Sequence, residues 1–250
     1  MQIKPFLREI SLKRERLPGL NQYPFNIPAV RELDGLSFHP DVTFFVGENG
    51  AGKSTLLEAI ALSLGFGPEG GTKNLQFSTA ETTSPLHQYI RTIRGFTRPR
   101  DHYFLRAESF FNVASEIERL DKEPGFGPPI MPSYGDRSLH RQSHGESFMA
   151  LLNNKLRGDG LYLLDEPEAA LSPTRQMAAL ASIHDLVLDG SQFIIATHSP
   201  ILLAYPRSKI VLFDGSGLSE VRYEDTEHYA ITRHFLNNHR KMVETLMNDD

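Results

Sequence analysis

The chain of 250 residues contains no cysteine, so it can form neither a disulfide nor a thiolate metal site. It also lacks any apolar run near the ~18 residues that a membrane-spanning helix requires, and its mean hydropathy is −0.32. The N-terminal segment, residues 1–5, has no apolar stretch of the kind that directs secretion. Together these absences predict a cytoplasmic protein.

Strong net charge is missing as well. The chain has 31 acidic and 26 basic residues and a net charge of −5. This balance argues against nonspecific binding of nucleic acid over the whole surface. A local basic cluster, with Asp101 as its only acid, consists of Arg91, Arg94, Arg98, Arg100 and Arg106. Such a cluster could meet the phosphates of DNA. A solvated face with intramolecular ion pairs is the favoured interpretation.

The most informative segment that is present is residues 47–54, which fit the phosphate-binding pattern GxxxxGK[ST]. Residues 42–46 before it predict a buried strand, and residues 55–61 after it predict a helix. Glycines let backbone N–H groups turn toward a β-phosphate, and the helix N-terminus adds partial positive charge. We expect Lys53 to neutralise the β- and γ-phosphates and Ser54 to ligate Mg²⁺. The expected nucleotide contacts are Gly47, Glu48, Asn49, Gly50, Ala51, Gly52, Lys53, Ser54 and Thr55.

A second motif follows a short apolar run at residues 161–164, which predicts a buried parallel strand. The strand ends in Asp165 and Glu166, beside the expected phosphate site. Asp165 is a candidate Mg²⁺ ligand, and Glu166 is a candidate base that polarises water for attack on the γ-phosphate. The alternative is a strand that ends in a charged, solvated turn.

Two further segments narrow the interpretation. Residues 142–147 precede an apolar helix-like run and offer Ser143 and Gly145 at a helix N-terminus, an arrangement suited to an anion. Residues 193–199 predict another buried strand, with His198 at its end. Taken singly, each has an ordinary structural explanation, a helix cap and a structural histidine. Their order behind a phosphate loop and an acidic strand gives them weight.

This set of motifs resembles that of soluble ABC-type ATPases, in the branch that includes SMC and RecF-like proteins, and in particular small bacterial AAA-domain ATP-binding proteins. Residues 142–147 are similar to the LSGGQ signature, His198 to the γ-phosphate-sensing histidine, and residues 169–172 to the D-loop. The resemblance extends from the N-terminal strands to residues 226–229. It implies an α/β P-loop NTPase fold with a mainly parallel central sheet, an antiparallel N-terminal flank and a helical lobe.

Length, composition and local pattern predict the organisation along the chain. We predict a single domain over residues 1–250, with a helical or loop-rich lobe inserted at about residues 65–140. Residues 86–120 are expected to be mainly helical, interrupted by a strand at residues 103–107. No heptads occur between the phosphate loop and the signature, so a long coiled-coil arm is not expected.

Two features depart from the transporter pattern. His144 stands in place of the first signature glycine, and no glutamine loop stands at the usual spacing. Glu108 is the candidate for that position. The antiparallel flank is expected to cover the nucleotide base, where Tyr23 or Phe25 could stack on adenine, although a core role is favoured for either aromatic.

The resemblance further implies a head-to-tail homodimer with two ATP molecules between the subunits. One subunit would supply Lys53, Ser54, Asp165, Glu166 and His198, and the other would supply Ser143 and Gly145. Lys53, Glu166 and His198 are then the catalytic candidates, and ATP and Mg²⁺ are the ligands.

Three functions remain open. The leading one is an ATP-hydrolysing dimerisation switch in DNA repair or DNA maintenance, with DNA or a DNA-processing protein as partner. The alternatives are the motor subunit of an ABC transporter and a nucleotide-gated binding module of a toxin or defence system. The altered signature and the missing glutamine loop count against the transporter, so no membrane partner is expected.

Overall fold

The computed structural model describes residues 4–74, 83–122, 129–135 and 142–248. The strands in chain order are β1 (Leu7–Leu12), β2 (Leu36–Ser37), β3 (Val42–Gly47), β4 (Ile90–Arg94), β5 (Asp101–Arg106), β6 (Gly160–Asp165), β7 (Gln192–Ala196), β8 (Ser208–Asp214) and β9 (Gly217–Val221). The α-helices are α1 (Pro28–Arg31), α2 (Lys53–Ser63), α3 (Phe110–Lys122), α4 (His144–Ala150), α5 (Pro173–Leu188), α6 (Pro200–Leu203) and α7 (Glu227–Met247).

The central sheet has the strand order β5-β6-β7-β3-β8-β9. Its first five members in this order are parallel, and β9 pairs antiparallel with β8. Every residue of β3, β6 and β7 is buried, as expected for parallel strands covered by helices on both faces. The predicted mainly parallel α/β sheet is therefore confirmed.

Two hydrophobic clusters lie on the two faces of this sheet. Because side chains alternate along a strand, Phe44 joins the cluster that contains Ile183 of α5, whereas Phe45 joins the cluster that contains Ile60 of α2. Helix α2 is thus held against one face, directly behind the loop that leads into it from β3. This packing fixes the start of α2 relative to the end of β3.

A small antiparallel sheet, β2-β1-β4, covers the face that carries α2. It corrects the expectation that residues 86–120 are mainly helical, because β4 pairs with β1 and only Phe110–Lys122 forms an α-helix within that span. Ile90, Thr92 and Ile93 are β-branched, and β1 offers them an open edge to pair with. The local pattern alone did not reveal that distant partner.

The carboxyl ends of β6, β7 and β3 meet at one edge, because these three strands are neighbours in the sheet. The phosphate loop begins at Gly47, the last residue of β3. Asp165 is the last residue of β6, with Glu166 directly after it, and His198 lies two residues past the end of β7. Three motifs far apart in the chain therefore meet at this edge.

Helix α7 runs along the surface, and no residue within Glu227–Met247 is buried. Among the residues described, no helix combines the length and apolar character needed to cross a bilayer.

Candidate functional site

The phosphate loop takes its shape from glycines in left-handed backbone conformations. Gly47 has φ +142° and Gly52 has φ +98°. A side chain at Gly47 would collide with the carbonyl of Phe213, and one at Gly52 would lie 2.7 Å from Ile27 Cγ2. Glycine is therefore required at both positions by conformation and by space.

Lys53 lies at the start of α2 and folds back over the loop. Its Nζ donates to the carbonyl oxygens of Gly47 and Glu48, both at 2.8 Å. Burial lowers the pKa of Lys53, and the nearby carboxylates of Glu166 and Asp165 oppose that shift. An ammonium held by two neutral carbonyls in a buried position is suited to an anionic ligand.

A cavity of about 440 Å³ opens beside the loop. It is bounded by the loop itself, by the end of β8 and by residues 225–228 at the start of α7. The N-cap of α2, Gly52, makes no side-chain capping hydrogen bond, which leaves the helix N-terminus open to an anion.

Ser54 and Asp165 meet directly, although 111 positions separate them. The Ser54 hydroxyl donates to Asp165 Oδ1 at 2.9 Å. Burial raises the pKa of Asp165 to about 7, and the Ser54 hydrogen bond opposes that rise. A cation at this carboxylate would relieve the cost of burying its charge.

This pair fits Mg²⁺, which is commonly held by one or two protein oxygens together with phosphate oxygens. Within the described ranges, no cluster of three or more His, Cys, Asp or Glu side chains forms a ligand set by itself. A magnesium ion held here would accordingly depend on the nucleotide for its remaining ligands.

Glu166 adopts a left-handed conformation, with φ 50° and ψ 51°, directly after β6. Its backbone N–H donates to Ala196 O of the neighbouring strand at 2.9 Å. Its Oε1 lies 3.8 Å from His198 Nε2. A non-glycine residue held at positive φ is uncommon, and such strain is often found at functional sites.

His198 is fixed at both its main chain and its ring. Its backbone N–H donates to Glu168 Oε1 at 2.6 Å, and its Nδ1 lies 2.9 Å from Nε2 of His228. Burial lowers the pKa of His198, with Lys53 lowering it further. His198 Nε2 is buried and has no hydrogen-bond partner among the described residues.

The candidate signature segment forms a capped helix start. Ser143 is the N-cap of α4, and the Glu146 side chain accepts from the Ser143 backbone N–H to complete a capping box. The Ser143 hydroxyl donates to Glu146 Oε2 at 2.9 Å and accepts from Arg175 Nη1 at 3.2 Å. Gly145 packs so closely that an added Cβ would lie 2.7 Å from Ala170 O.

The signature residues are not brought to the phosphate loop of the same chain. Ser143 and Gly145 line a cavity of about 430 Å³ with residues of the β6–α5 connection and of α3. Among the described residues, this cavity and the phosphate-loop cavity have no lining residue in common.

Comparisons with known proteins agree with this geometry. A family model described as an AAA domain matches residues 19–122, less than half of the chain. The hemin import ATP-binding protein HmuV of Nocardia farcinica is 28% identical over 207 residues, covering 75% of this chain and 69% of that protein. The macrolide export ATP-binding/permease protein MacB of Rhodopseudomonas palustris is 28% identical over 222 residues, covering 80% of this chain and 32% of that protein.

The chain spans between 26% and 34% of the length of several such relatives. Among solved structures, MJ1267, an ATP-binding cassette of an ABC transporter, superposes with a TM-score of 0.51 at 18% identity. That alignment covers 80% of this chain and 92% of MJ1267. The chain has an ABC-type ATPase fold.

The two departures from the transporter pattern have local explanations in this ABC-type fold. The His144 ring packs edge-on against Phe111 of α3, with the ring centroids 4.3 Å apart. Glu108 lies in the turn between β5 and α3 and pairs with Arg106, which also contacts Glu58 of α2 at 2.6 Å. Glu108 thus occupies the expected turn, and its role there stays a prediction.

The structure separates the two candidates for adenine stacking. Phe25 is 1% exposed and packs edge-on against Tyr89, so its faces are not open to a base. Tyr23 is 61% exposed, and its hydroxyl lies 3.4 Å from Thr55 Oγ1 of α2. Only Tyr23 of the two remains a candidate.

The basic cluster expected in a helical lobe is spread over strands β4 and β5 and the turn between them, and largely paired within the chain. Arg91 lies 3.4 Å from Glu15, Arg100 lies 3.9 Å from Asp159, and Arg106 is bonded to Glu58. Arg94 donates to Ser63 O at 3.5 Å. These contacts favour the intramolecular interpretation, and no comparison supports a DNA partner.

Sequence reasoning assigned no role to Glu168, Arg175 or His228. Glu168 follows Glu166 by two positions, but its partly buried position and its bond to His198 could not be inferred from spacing. Arg175 and His228 are each about 30 positions from their partners, Ser143 and His198. Such contacts depend on packing between elements.

Proposed function

We propose that this chain binds ATP with Mg²⁺ and hydrolyses the γ-phosphate bond as an ABC-type ATPase, in a head-to-tail homodimer. The hydrogen bond between Ser54 and Asp165 supports this most directly, because it joins the phosphate loop to the acidic strand with a hydroxyl and a carboxylate side by side. Phosphoryl-transfer enzymes of the P-loop class use this pair of groups at the metal.

In this proposal each residue at the carboxyl edge has one task. Lys53 leaves the loop carbonyls and contacts the β- and γ-phosphate oxygens. Ser54 and Asp165 hold Mg²⁺, which supplies charge neutralisation on the phosphates. Glu166 orients and polarises the attacking water, and His198 contacts the γ-phosphate through Nε2.

The signature residues would act on the nucleotide of the partner copy. The Ser143 hydroxyl and the N-terminus of α4 present hydrogen-bond donors and partial positive charge on an exposed surface. Since a γ-phosphate would bridge the two copies only before cleavage, ATP would close the dimer and hydrolysis would open it.

For the biological partner we propose a membrane transport complex in which this chain is the motor. The support is that relatives such as HmuV and MacB carry import or export in their names, and that MJ1267 is a transporter cassette. This replaces the sequence-based preference for DNA repair, which neither the comparisons nor the paired arginines favour.

The decisive experiment mixes two inactive variants. Glu166→Gln removes the base but keeps the signature, and Ser143→Arg blocks the signature but keeps the base. In a mixed dimer, the phosphate loop and Glu166 of the Ser143→Arg copy face the intact signature of the Glu166→Gln copy. One complete site is therefore rebuilt, and ATPase activity should reappear on mixing.

Wild-type protein sets the upper limit of ATPase activity in this assay, and each variant alone sets the lower limit. Glu244→Gln, at an exposed position of α7, is the matched control for Glu166→Gln. Activity that stays absent in the mixture, while both variants bind ATP and fold, would contradict the composite site.

The transport proposal has a separate test. The chain carrying Glu166→Gln is used as bait with ATP and detergent-solubilised membranes of its source, and co-purifying proteins are identified by mass spectrometry. A membrane subunit captured only with ATP supports the proposal. Stimulation of wild-type ATPase by DNA or RNA, without any membrane subunit, would reverse it in favour of the nucleic-acid partner.

A further inference from the structure

We propose that His228 is a positioning residue for His198, holding its imidazole in the tautomer whose Nε2–H faces the γ-phosphate. The inference rests on the proposed function, in which His198 contacts that phosphate. It adds a residue from helix α7 to the site.

The contact between the two rings is direct. His198 Nδ1 and His228 Nε2 are 2.9 Å apart, within the range of a nitrogen–nitrogen hydrogen bond, and the ring centroids are 5.1 Å apart. Both histidines line a surface cavity that Glu48 and Asn49 of the phosphate loop also line. The pair therefore lies beside the proposed γ-phosphate position.

The direction of this hydrogen bond follows from the surroundings of the other His198 nitrogen. A neutral imidazole carries one N–H, so protonation of Nε2 leaves Nδ1 as an acceptor. His198 Nε2 lies 3.8 Å from Glu166 Oε1 and lacks a hydrogen-bond partner among the described residues. A bare nitrogen lone pair there would face a carboxylate, whereas an N–H is attracted to it.

His228 must then donate its Nε2–H to His198 Nδ1. Burial lowers the pKa of both histidines, and Lys53 lowers each further, so two neutral rings are the favoured state. Two neutral rings can form this hydrogen bond, with His228 as donor and His198 as acceptor, without charge repulsion. Without His228, Nδ1 of His198 would lose the donor that pairs with its lone pair, so the Nδ1–H form would become accessible beside the Nε2–H form that Glu166 favours. Only the Nε2–H form can donate to a phosphate oxygen from Nε2.

The start of α7 is itself held in place. Buried Thr226 caps the helix by accepting from the Tyr229 N–H at 3.3 Å. Just before it, the Tyr223 hydroxyl donates to Pro200 O at 2.8 Å, two residues after His198. His228 is thus anchored relative to the segment that it orients, as a positioning residue must be.

The test uses three variants. His228→Leu removes the donor, and His228→Gln restores an N–H near the Nε2 position. His239→Leu is the matched control, at an exposed position of α7 just past the kink at Asn238. We expect His228→Leu to lower kcat about 10-fold or more, by analogy with the effect of removing the hydrogen-bond partner that orients a metal-ligating histidine. The Kd for ATP should change less than about twofold, and His228→Gln should recover most of kcat.

A spectroscopic measurement separates orientation from a structural effect. Nitrogen-15 NMR of histidine-labelled protein without nucleotide, with His198 assigned through His198→Ala, should show His198 as the Nε2–H tautomer in wild type. In His228→Leu it should show a mixture with the Nδ1–H form. If His228→Leu fails to fold, His228→Ala takes its place, with circular dichroism as the check on folding.

Each outcome has a consequence. An Nδ1–H tautomer in wild type, or a kcat and tautomer unchanged by His228→Leu, would overturn the role of His228. Absence of ATPase activity in wild type would instead refute the proposed function, while the tautomer measurement would still decide the hydrogen bond.

Discussion

The carboxyl edge of the central sheet and the signature helix differ in how far a single chain completes them. At the edge, groups from distant parts of the chain bond to one another, as Ser54 does to Asp165 and His198 to Glu168. At the signature, Ser143 is bonded within its own helix start and to Arg175. The carboxyl edge is a nearly assembled half of the proposed composite ATP site, called the half-site below, and the signature helix is a capped, exposed surface.

The difference has a physical origin. The edge is formed by strands whose side chains are buried on both faces, so their ends are fixed to each other by the sheet. Helix α4 is exposed at Ser143, His144 and Glu146, so its donors find partners nearby in sequence. A second copy that displaced Glu146 from Ser143 would complete what one chain leaves apart.

The largest expected effect comes from the assembled half-site. Glu166→Gln should lower ATP hydrolysis by about 10²–10⁴-fold, the usual contribution of a general base. The side chain keeps its shape, so ATP binding and dimer closure should persist. Light scattering after size-exclusion chromatography, with ATP and Mg²⁺, measures the dimer. A variant that stays monomeric at saturating ATP would contradict the sandwich.

Gly145→Ala tests the signature helix. The added Cβ would lie 2.7 Å from both Ala170 O and Arg175 Nη1. We expect it to cost about 1–3 kcal/mol, as overpacking generally does, and to disturb the signature surface more than the phosphate loop. Thermal unfolding measures the first effect and ATP binding the second. Gly35→Ala, which meets only the flexible end of Glu9, is the control.

Tyr23→Ala tests whether the half-site includes the base. Loss of one stacking aromatic costs about 1–3 kcal/mol, and Tyr23 is well exposed, so we expect a rise of about tenfold in KM for ATP. The kcat should change little, since the ring would contact the base and not the reacting γ-phosphate. Phe96→Ala, at a position that is 91% exposed, should leave both constants unchanged. Equal loss in ATP and inorganic triphosphate binding would argue against stacking.

The smallest expected effect concerns Glu168. Burial raises the pKa of its carboxyl group above the ordinary value, so the folded state binds this proton more tightly than the unfolded state. Its contribution to stability is complete below the unfolded pKa and is lost as pH rises through the raised value. Glu168→Gln keeps an oxygen for the His198 N–H and carries no charge. Its Tm relative to wild type should therefore rise as pH increases from the ordinary glutamate pKa, about 4.3, through the raised pKa of the folded state.

Much of the half-site could be predicted because its motifs are local. The pattern at residues 47–54, with a strand before it and a helix after it, specifies a phosphate loop through glycines that must adopt positive φ. The apolar run before Asp165 specifies a central parallel strand, and strand ends in such sheets meet at one edge.

Other features depended on partners remote in sequence. β4 forms a strand because it pairs with β1. The two segments are far apart in the chain, so the local sequence of neither one predicts the pairing. Phe25 is excluded from the base site because Tyr89 covers it. Arg106 of β5 forms an ion pair with Glu58 of α2. This member of the basic cluster is therefore neutralised within the chain, which its neighbours in the sequence did not indicate.

The sequence by itself determined the phosphate loop, the acidic strand and the parallel sheet, since each is encoded by glycine conformation, apolar runs and side-chain type over a few neighbouring residues. Tertiary structure alone decided that Glu168 and His228 hold His198 and that Arg175 lies against Ser143. These contacts arise from the relative placement of packed elements, which no local pattern specifies.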